Sequence, residues 1–165
     1  MKEKQLCIIT EERKIKTCAF TGHRDLDADF SARDLKSEIE ALIKRGAEIF
    51  YNGGAIGFDL IAAEKTLELK KEYPQIKLIV CIPFPGQDKY FSLKDKKRYE
   101  KILKAADETV LMSENYSKGS YLLRDRYMAE RADALVAYLR KETGGTAYTV
   151  NYFRKKYSDR EIVYI

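Results

Sequence analysis

Histidine occurs once in this chain, cysteine three times and tryptophan not at all. A single imidazole, His23, excludes a metal centre built on histidines, although an all-carboxylate magnesium site would need none. Cys7, Cys18 and Cys81 are widely spaced and form no C-x-x-C pair, so neither a disulfide framework nor a zinc site is indicated. Cys18 and Cys81 lie in apolar runs and suit small core positions. No metal is expected. A run of about 18 apolar residues that would cross a bilayer is also lacking, so no membrane partner is expected. The charged start Met1-Lys2-Glu3-Lys4-Gln5 leads only into a short apolar stretch before Glu11-Glu12-Arg13-Lys14, which does not read as a secretory signal. A cytoplasmic protein follows from these absences. Gly/Ser linkers, repeats and low-complexity tracts are missing too, and 165 residues is a single-domain length, so one domain over 1–165 is expected.

What is present is a globular composition with 45% hydrophobic residues and a modest basic excess, 31 Lys plus Arg against 26 Asp plus Glu, for a net charge of +5. That balance is compatible with phosphate ligands or nucleic acid. Thr17-Cys18-Ala19-Phe20 reads as a first strand, and Leu35, Ile39, Leu42 and Ile43 recur at helical spacing after it. Ser31 with Asp34 resembles a capping box and Gly46 a helix stop. A second strand ends at Tyr51, and its helix runs from about Phe58 to Lys71. Lys77 to Pro83 has a continuous apolar centre without alternation, as a parallel strand covered on both faces requires, and should lie near the middle of the sheet. A helix carrying Tyr99, Ile102, Leu103 and Ala106 follows. Then come a strand at Thr109 to Met112, a helix from Tyr121 to Arg131, a strand from Ala134 to Leu139, a helix from Tyr148 to Lys156 and a last strand at Ile162 to Ile165. Cys7-Ile8-Ile9, within residues 1–15, reads either as an added strand or as a flexible arm. Strands alternating with helices at this spacing predict an α/β, Rossmann-like fold: an open, mainly parallel sheet with helices on both faces.

In such a sheet the ligand lies beyond the carboxyl ends of the strands, where their order reverses. Two glycine turns fall on that edge, Asn52-Gly53-Gly54-Ala55-Ile56-Gly57-Phe58-Asp59 and Thr143-Gly144-Gly145-Thr146. A glycine turn feeding a helix start presents backbone N–H groups at the positive end of the helix dipole, which suits a phosphate. Gly53, Gly54, Gly57, Gly144, Gly145 and Thr146 are therefore candidate ligand-binding residues, and a bulky residue at Gly54 is expected to abolish binding in a protein that still folds. Thr21-Gly22-His23-Arg24 leaves the first strand into the same cleft, where Arg24 would grip phosphate and His23 would either act as acid or base or hydrogen-bond a neighbouring loop. Asp59 is placed to cap a helix or to hold a ribose hydroxyl. Arg124 opens a helix beside the cleft and would bind an anion or lie on a solvated face. Lys94, Lys97, Arg98 and Lys101 form a basic stripe that reads as solvated helix surface or as a nucleic-acid contact. Tyr116, Tyr121, Tyr127, Tyr138, Tyr148 and Tyr152 cluster near the C-terminal half of the cleft, either as packing residues or with one stacking on a base.

The ordered set Thr21-Gly22-His23-Arg24, Gly53 to Asp59 and Gly144-Gly145-Thr146 resembles the YpsA-like branch of the SLOG superfamily, over nearly the whole chain from Thr17 to Ile165. The resemblance implies a Rossmann-like fold, a nucleotide-derived ligand and a homodimer. It also relates the chain to the Lonely Guy phosphoribohydrolases and to DprA. The Lonely Guy helix Arg-Lys-Ala-Glu-Met-Ala looks like Arg124 to Ala129, which puts Arg124 on that family's active-site arginine. Its catalytic glutamate falls on Asn151, with Glu142 or Asp59 the carboxylates left to replace it. An amide neither stabilises a ribosyl cation nor activates water well. The expectation is thus binding or sensing of an NAD- or ADP-ribose-like molecule, with no certain cofactor and no Lonely Guy-type hydrolysis. A nucleotide-processing enzyme, phosphoribohydrolase-like or NAD-cleaving, and a DprA-like binder of single-stranded DNA are the alternatives.

Overall fold

The computed structural model describes residues 13–165. Six strands alternate with five helices among them: β1 (Thr17–Gly22), α1 (Ala32–Lys44), β2 (Ile49–Asn52), α2 (Phe58–Lys70), β3 (Lys77–Ile82), α3 (Leu93–Ala105), β4 (Glu108–Leu111), α4 (Ser120–Arg131), β5 (Ala134–Tyr138), α5 (Gly145–Lys156) and β6 (Glu161–Tyr164). The strands form one sheet in the order β4-β3-β2-β1-β5-β6, and every neighbouring pair is parallel. This is the Rossmann-like α/β architecture. Cys7-Ile8-Ile9 lies outside the described residues; residues 13–15 form no strand, and Ile15 is buried in the core.

Successive side chains of a strand point to opposite faces, and here each face meets its own helices. Cys18, Phe20, Phe50, Leu78, Val80 and Val136 pack with Leu35, Ile39, Leu60 and Ala63 of α1 and α2. The intervening Ala19, Ile79, Cys81, Leu135 and Ala137 pack with Met128, Ala129, Val150 and Phe153 of α4 and α5. Both described cysteines are fully buried, and burial drives their thiols up, Cys81 to about 12, so they are inert packing groups. The sheet is two-sided, which explains the unbroken apolar run of β3. Its position differs from the expectation, because β3 lies one strand in from the β4 edge while β2 and β1 are central. Apolar continuity reports helices above and below a strand, not its rank across the sheet.

β1 is the strand at which the order reverses: β2, β3 and β4 lie to one side of it, β5 and β6 to the other. The chain leaving β1 turns toward α1 and the chain leaving β5 toward α5. A crevice therefore opens beyond the carboxyl ends of these two strands.

Candidate ligand-binding cleft at the strand-order switch

A cleft of about 410 Å³ occupies this crevice. Of the residues the sequence nominates, Thr21, Gly22, His23, Arg24, Asp59, Arg124, Gly145 and Thr146 line it, together with Phe20, Ala55, Tyr121, Leu122 and Asp125. Gly53, Gly54, Gly57 and Gly144 are not among its lining residues.

The two glycine turns differ in kind. Gly53 and Gly54 are buried behind the cleft wall. A side chain at Gly53 would meet the Arg124 guanidinium at 2.7 Å and an Asp59 carboxylate oxygen at 2.9 Å. The Gly54 N–H donates to Asn52 Oδ1 at 2.8 Å, and Gly54, at φ +66°, is walled by Tyr99 and Gln87. Gly57, at φ +79°, lies directly against the Arg24 backbone carbonyl, where any side chain would collide with main chain. This turn is a wedge that fixes the wall of the cleft. A substitution at Gly54 would thus strain the fold and is no clean probe of binding, contrary to the expectation from sequence. The second turn is open: a side chain at Gly145 would meet only Asp125 Oδ2, at 3.8 Å.

Helix starts follow the same division. α1 and α3 are capped by the Ser31 and Ser92 hydroxyls, which accept from Asp34 N and Asp95 N at 3.1 Å. α2, α4 and α5 have glycine at the capping position and no side-chain cap, and all three contribute first-turn residues to the cleft. Uncapped N–H groups at the positive end of a helix favour an anion.

Arg124, 4% exposed, is held from both sides: its Nε donates to Asp125 Oδ1 at 2.7 Å and its Nη1 to the Gly53 carbonyl at 2.6 Å. Burial works against its charge, and Asp125 and Asp59 more than offset that, so it stays a cation. Asp59 is also buried. Its Oδ2 accepts from the Ala55 N–H at 3.3 Å, while the buried Oδ1 has no partner among the described residues. Burial pushes this carboxyl up to about 7, with Arg124 pulling the other way. Arg24 is exposed at the mouth and lies 5.3 Å from the Tyr121 ring, with Arg124 5.8 Å from the same ring. Among the described residues Arg24 forms no salt bridge, and its charge acts on Asp59 from a distance.

His23 is already engaged. Its Nε2 accepts from the Arg140 backbone N–H at 2.8 Å, and burial followed by Lys141 lowers its pKa, so the ring is a neutral, loop-fixing group. Asn151 and Glu142 share a separate surface depression with Arg154, away from the cleft. On α4, Met128 is core, and Arg131 covers the Tyr127 ring rather than facing the cleft. Sequence reasoning left Phe20, Ala55, Leu122 and Asp125 out of its site and named Tyr121 only among the tyrosines near the cleft. A carboxylate adjacent to Arg124, and a tyrosine three residues before it on the same helix face, were the available signals.

The fold and cleft define a Rossmann-like single-sheet protein with a cleft at its strand-order switch. The chain belongs to the YspA SLOG family, whose model, YpsA, matches residues 7–165. It is 30% identical over 163 residues to a UPF0398 protein of Bacillus pumilus, covering 92% of this chain and 88% of the relative. It is 33% identical over 141 residues to the SPbeta prophage-derived protein YoqJ of Bacillus subtilis, covering 78% and 82%. Among solved structures it is similar to DNA processing protein A of Helicobacter pylori, described for its single-stranded DNA binding mode, with a TM-score of 0.65, 24% identity and 90% of this chain covered. The same protein from Streptococcus pneumoniae matches with a TM-score of 0.68, 19% identity and 92% coverage. The present chain spans 64% and 50% of those two chains, and at these identities the likeness is one of fold.

Proposed function

We propose that the cleft binds the phosphate or diphosphate of a nucleotide-derived ligand of the NAD or ADP-ribose kind, and that the protein binds or senses this ligand in the cytoplasm without Lonely Guy-type hydrolysis. The observation that carries this reading is the uncapped start of α5 at Gly145 and Thr146, which shares the cleft with the buried Arg124 cation. Arg24 supplies the second charge. Of the groups nominated for hydrolysis, Asn151 and Glu142 lie elsewhere and His23 Nε2 is occupied, which leaves Asp59, with its Oδ1 buried, as the one in the cleft. No helix among the described residues is long and apolar enough to cross a membrane.

Calorimetric titration with NAD, ADP-ribose and AMP, followed by chromatography of the mixtures, tests the reading. Saturable binding without products is expected. Gly145→Glu should abolish it with the thermal midpoint unchanged, since space is available there and the new charge opposes an anion. Retained affinity in that variant would remove the α5 start from the site. Turnover that Arg124→Ala abolishes would replace binding by catalysis. A second reading, single-stranded DNA binding, is favoured by the fold likeness to DNA processing protein A and by the exposed Lys94, Lys97 and Lys101 of α3. It requires affinity that falls steeply with salt; salt-independent or absent oligonucleotide binding ends it.

A further inference from the structure

A second concavity, of about 520 Å³, adjoins the cleft and shares Tyr121 with it. Its walls come from the loops that follow β3 and β4: Phe84, Gln87, Lys89 and Tyr90 from one, Tyr116 from the other. Phe84 is nearly buried and meets Tyr116 and Tyr121 edge-to-face, at 5.1 Å and 5.4 Å with interplanar angles of 78° and 77°. Such pairs fix ring orientation, so Tyr116 is held in place although 65% of it is exposed. Tyr90, 89% exposed, stands on the same groove. Two exposed aromatic rings at one groove leave apolar faces in water, which folding alone gives no reason to keep.

Gln87 adds a polar element to this aromatic lining. It is 7% exposed, and its Nε2 donates to the Gly53 carbonyl and lies within hydrogen-bond distance of Tyr99 Oη, both at 3.1 Å. The carbonyl of Gly53 requires a donor, which settles the orientation of the amide and makes Oε1 its free acceptor among the described residues. The Gly53 carbonyl also accepts from Arg124, so the groove and the cleft are braced through one backbone atom.

We propose that this groove is the base subsite of the ligand whose phosphate enters the cleft: a planar nitrogenous base stacks on Tyr116 and donates an exocyclic amino hydrogen to Gln87 Oε1. The assignment rests on the anion-site reading above and deepens it. Tyr121, which lines both cavities and lies 5.8 Å from Arg124, marks where the ribose would sit. An aromatic face accepts any base, because every base has a π-face. Selection among bases then falls to the one acceptor, which favours an amino group over a carbonyl.

Titration of wild type, Tyr116→Ala and Tyr116→Phe with ADP-ribose and with ribose 5-phosphate, which lacks a base, separates the two assignments. Tyr116→Ala should weaken ADP-ribose about 10-fold or more, the usual worth of one stacked base, and leave ribose 5-phosphate unchanged. Tyr116→Phe should restore the loss. AMP should bind wild type more tightly than IMP, which carries a carbonyl in place of the amino group. Undiminished ADP-ribose affinity in Tyr116→Ala, equal losses for both probes, or equal affinity for AMP and IMP overturns the subsite while the anion site stands. Failure of wild type to bind either ADP-ribose or ribose 5-phosphate removes the anion site and the subsite together. Binding of a single-stranded oligonucleotide alone, lost in Tyr116→Ala, would make the groove a strand contact and overturn the small-ligand assignment.

Discussion

Asp59 is a buried carboxyl whose Oδ1 has no partner among the described residues, with the buried Arg124 cation acting on it. The unfolded chain ionises this group near 3.8 and the folded chain near 7. Stability therefore falls as pH rises between those values, and the penalty is complete above them. Asp59→Asn should raise stability at pH 8 by about 4 kcal/mol, with little change at pH 3.5, in denaturant melts across that range. A flat difference between the two proteins over pH would show that Asp59 is not the titrating group. His23 acts in the opposite sense: burial and Lys141 lower its pKa, so its contribution is present above the usual value of 6.5 and is lost as pH falls below it. Both residues were visible in the sequence as cleft residues, yet their roles were not equally legible. The neighbours that decide them, Arg140 for His23 and Arg124 for Asp59, are brought in by chain segments 117 and 65 residues away.

Capping divides the helices into two groups with different mechanical tasks. Ser31→Ala and Ser92→Ala each remove the one side-chain acceptor at a helix start and should each cost about 1 kcal/mol in chemical denaturation, without altering ligand affinity. Changes below about 0.3 kcal/mol would mean that water replaces these caps at no cost. The seam between β1 and α2 is less forgiving. Phe58 packs directly over Gly22 and stacks on Tyr138 at 5.9 Å, so Gly22→Ala should destabilise by about 3 kcal/mol or more, read as a lowered urea midpoint. A midpoint equal to wild type would show that Phe58 moves aside freely. Strand and helix boundaries were legible almost throughout, because short unbroken apolar runs and the 3.6-residue stripes are local signals. The lateral rank of β3 was not, since pairing order is decided between elements. Nor was the partnership of Arg98: in the α3 basic stripe it is tied to Glu64 and Asp95, leaving the lysines as the exposed members.

At the scale of the whole molecule, a ligand that binds only the folded chain stabilises it by about 2.7 kcal/mol at a hundred times its dissociation constant. For a protein of this length the thermal midpoint should then rise by roughly 5–10 °C with ADP-ribose at that excess, and not at all for Gly145→Glu, in a calorimetric scan. An equal rise in both proteins would place the ligand elsewhere. The cleft takes residues 21–24 from β1, Ala55 and Asp59 from the β2 turn, α4 from Tyr121 and the α5 start at Gly145. Its floor closes only when β5 adds to the free side of β1, pairing Cys18 with Ala134 and Gly22 with Tyr138. Asp133 marks that closure, its Oδ2 accepting from the backbone of Lys16 and Thr17. During synthesis, β1 to β4 emerge first with one edge of β1 unsatisfied, and no binding site exists on that nascent sheet. The cleft is thus a property of the whole sheet: it has no complete wall until β5 and the α5 start are in place beside β1.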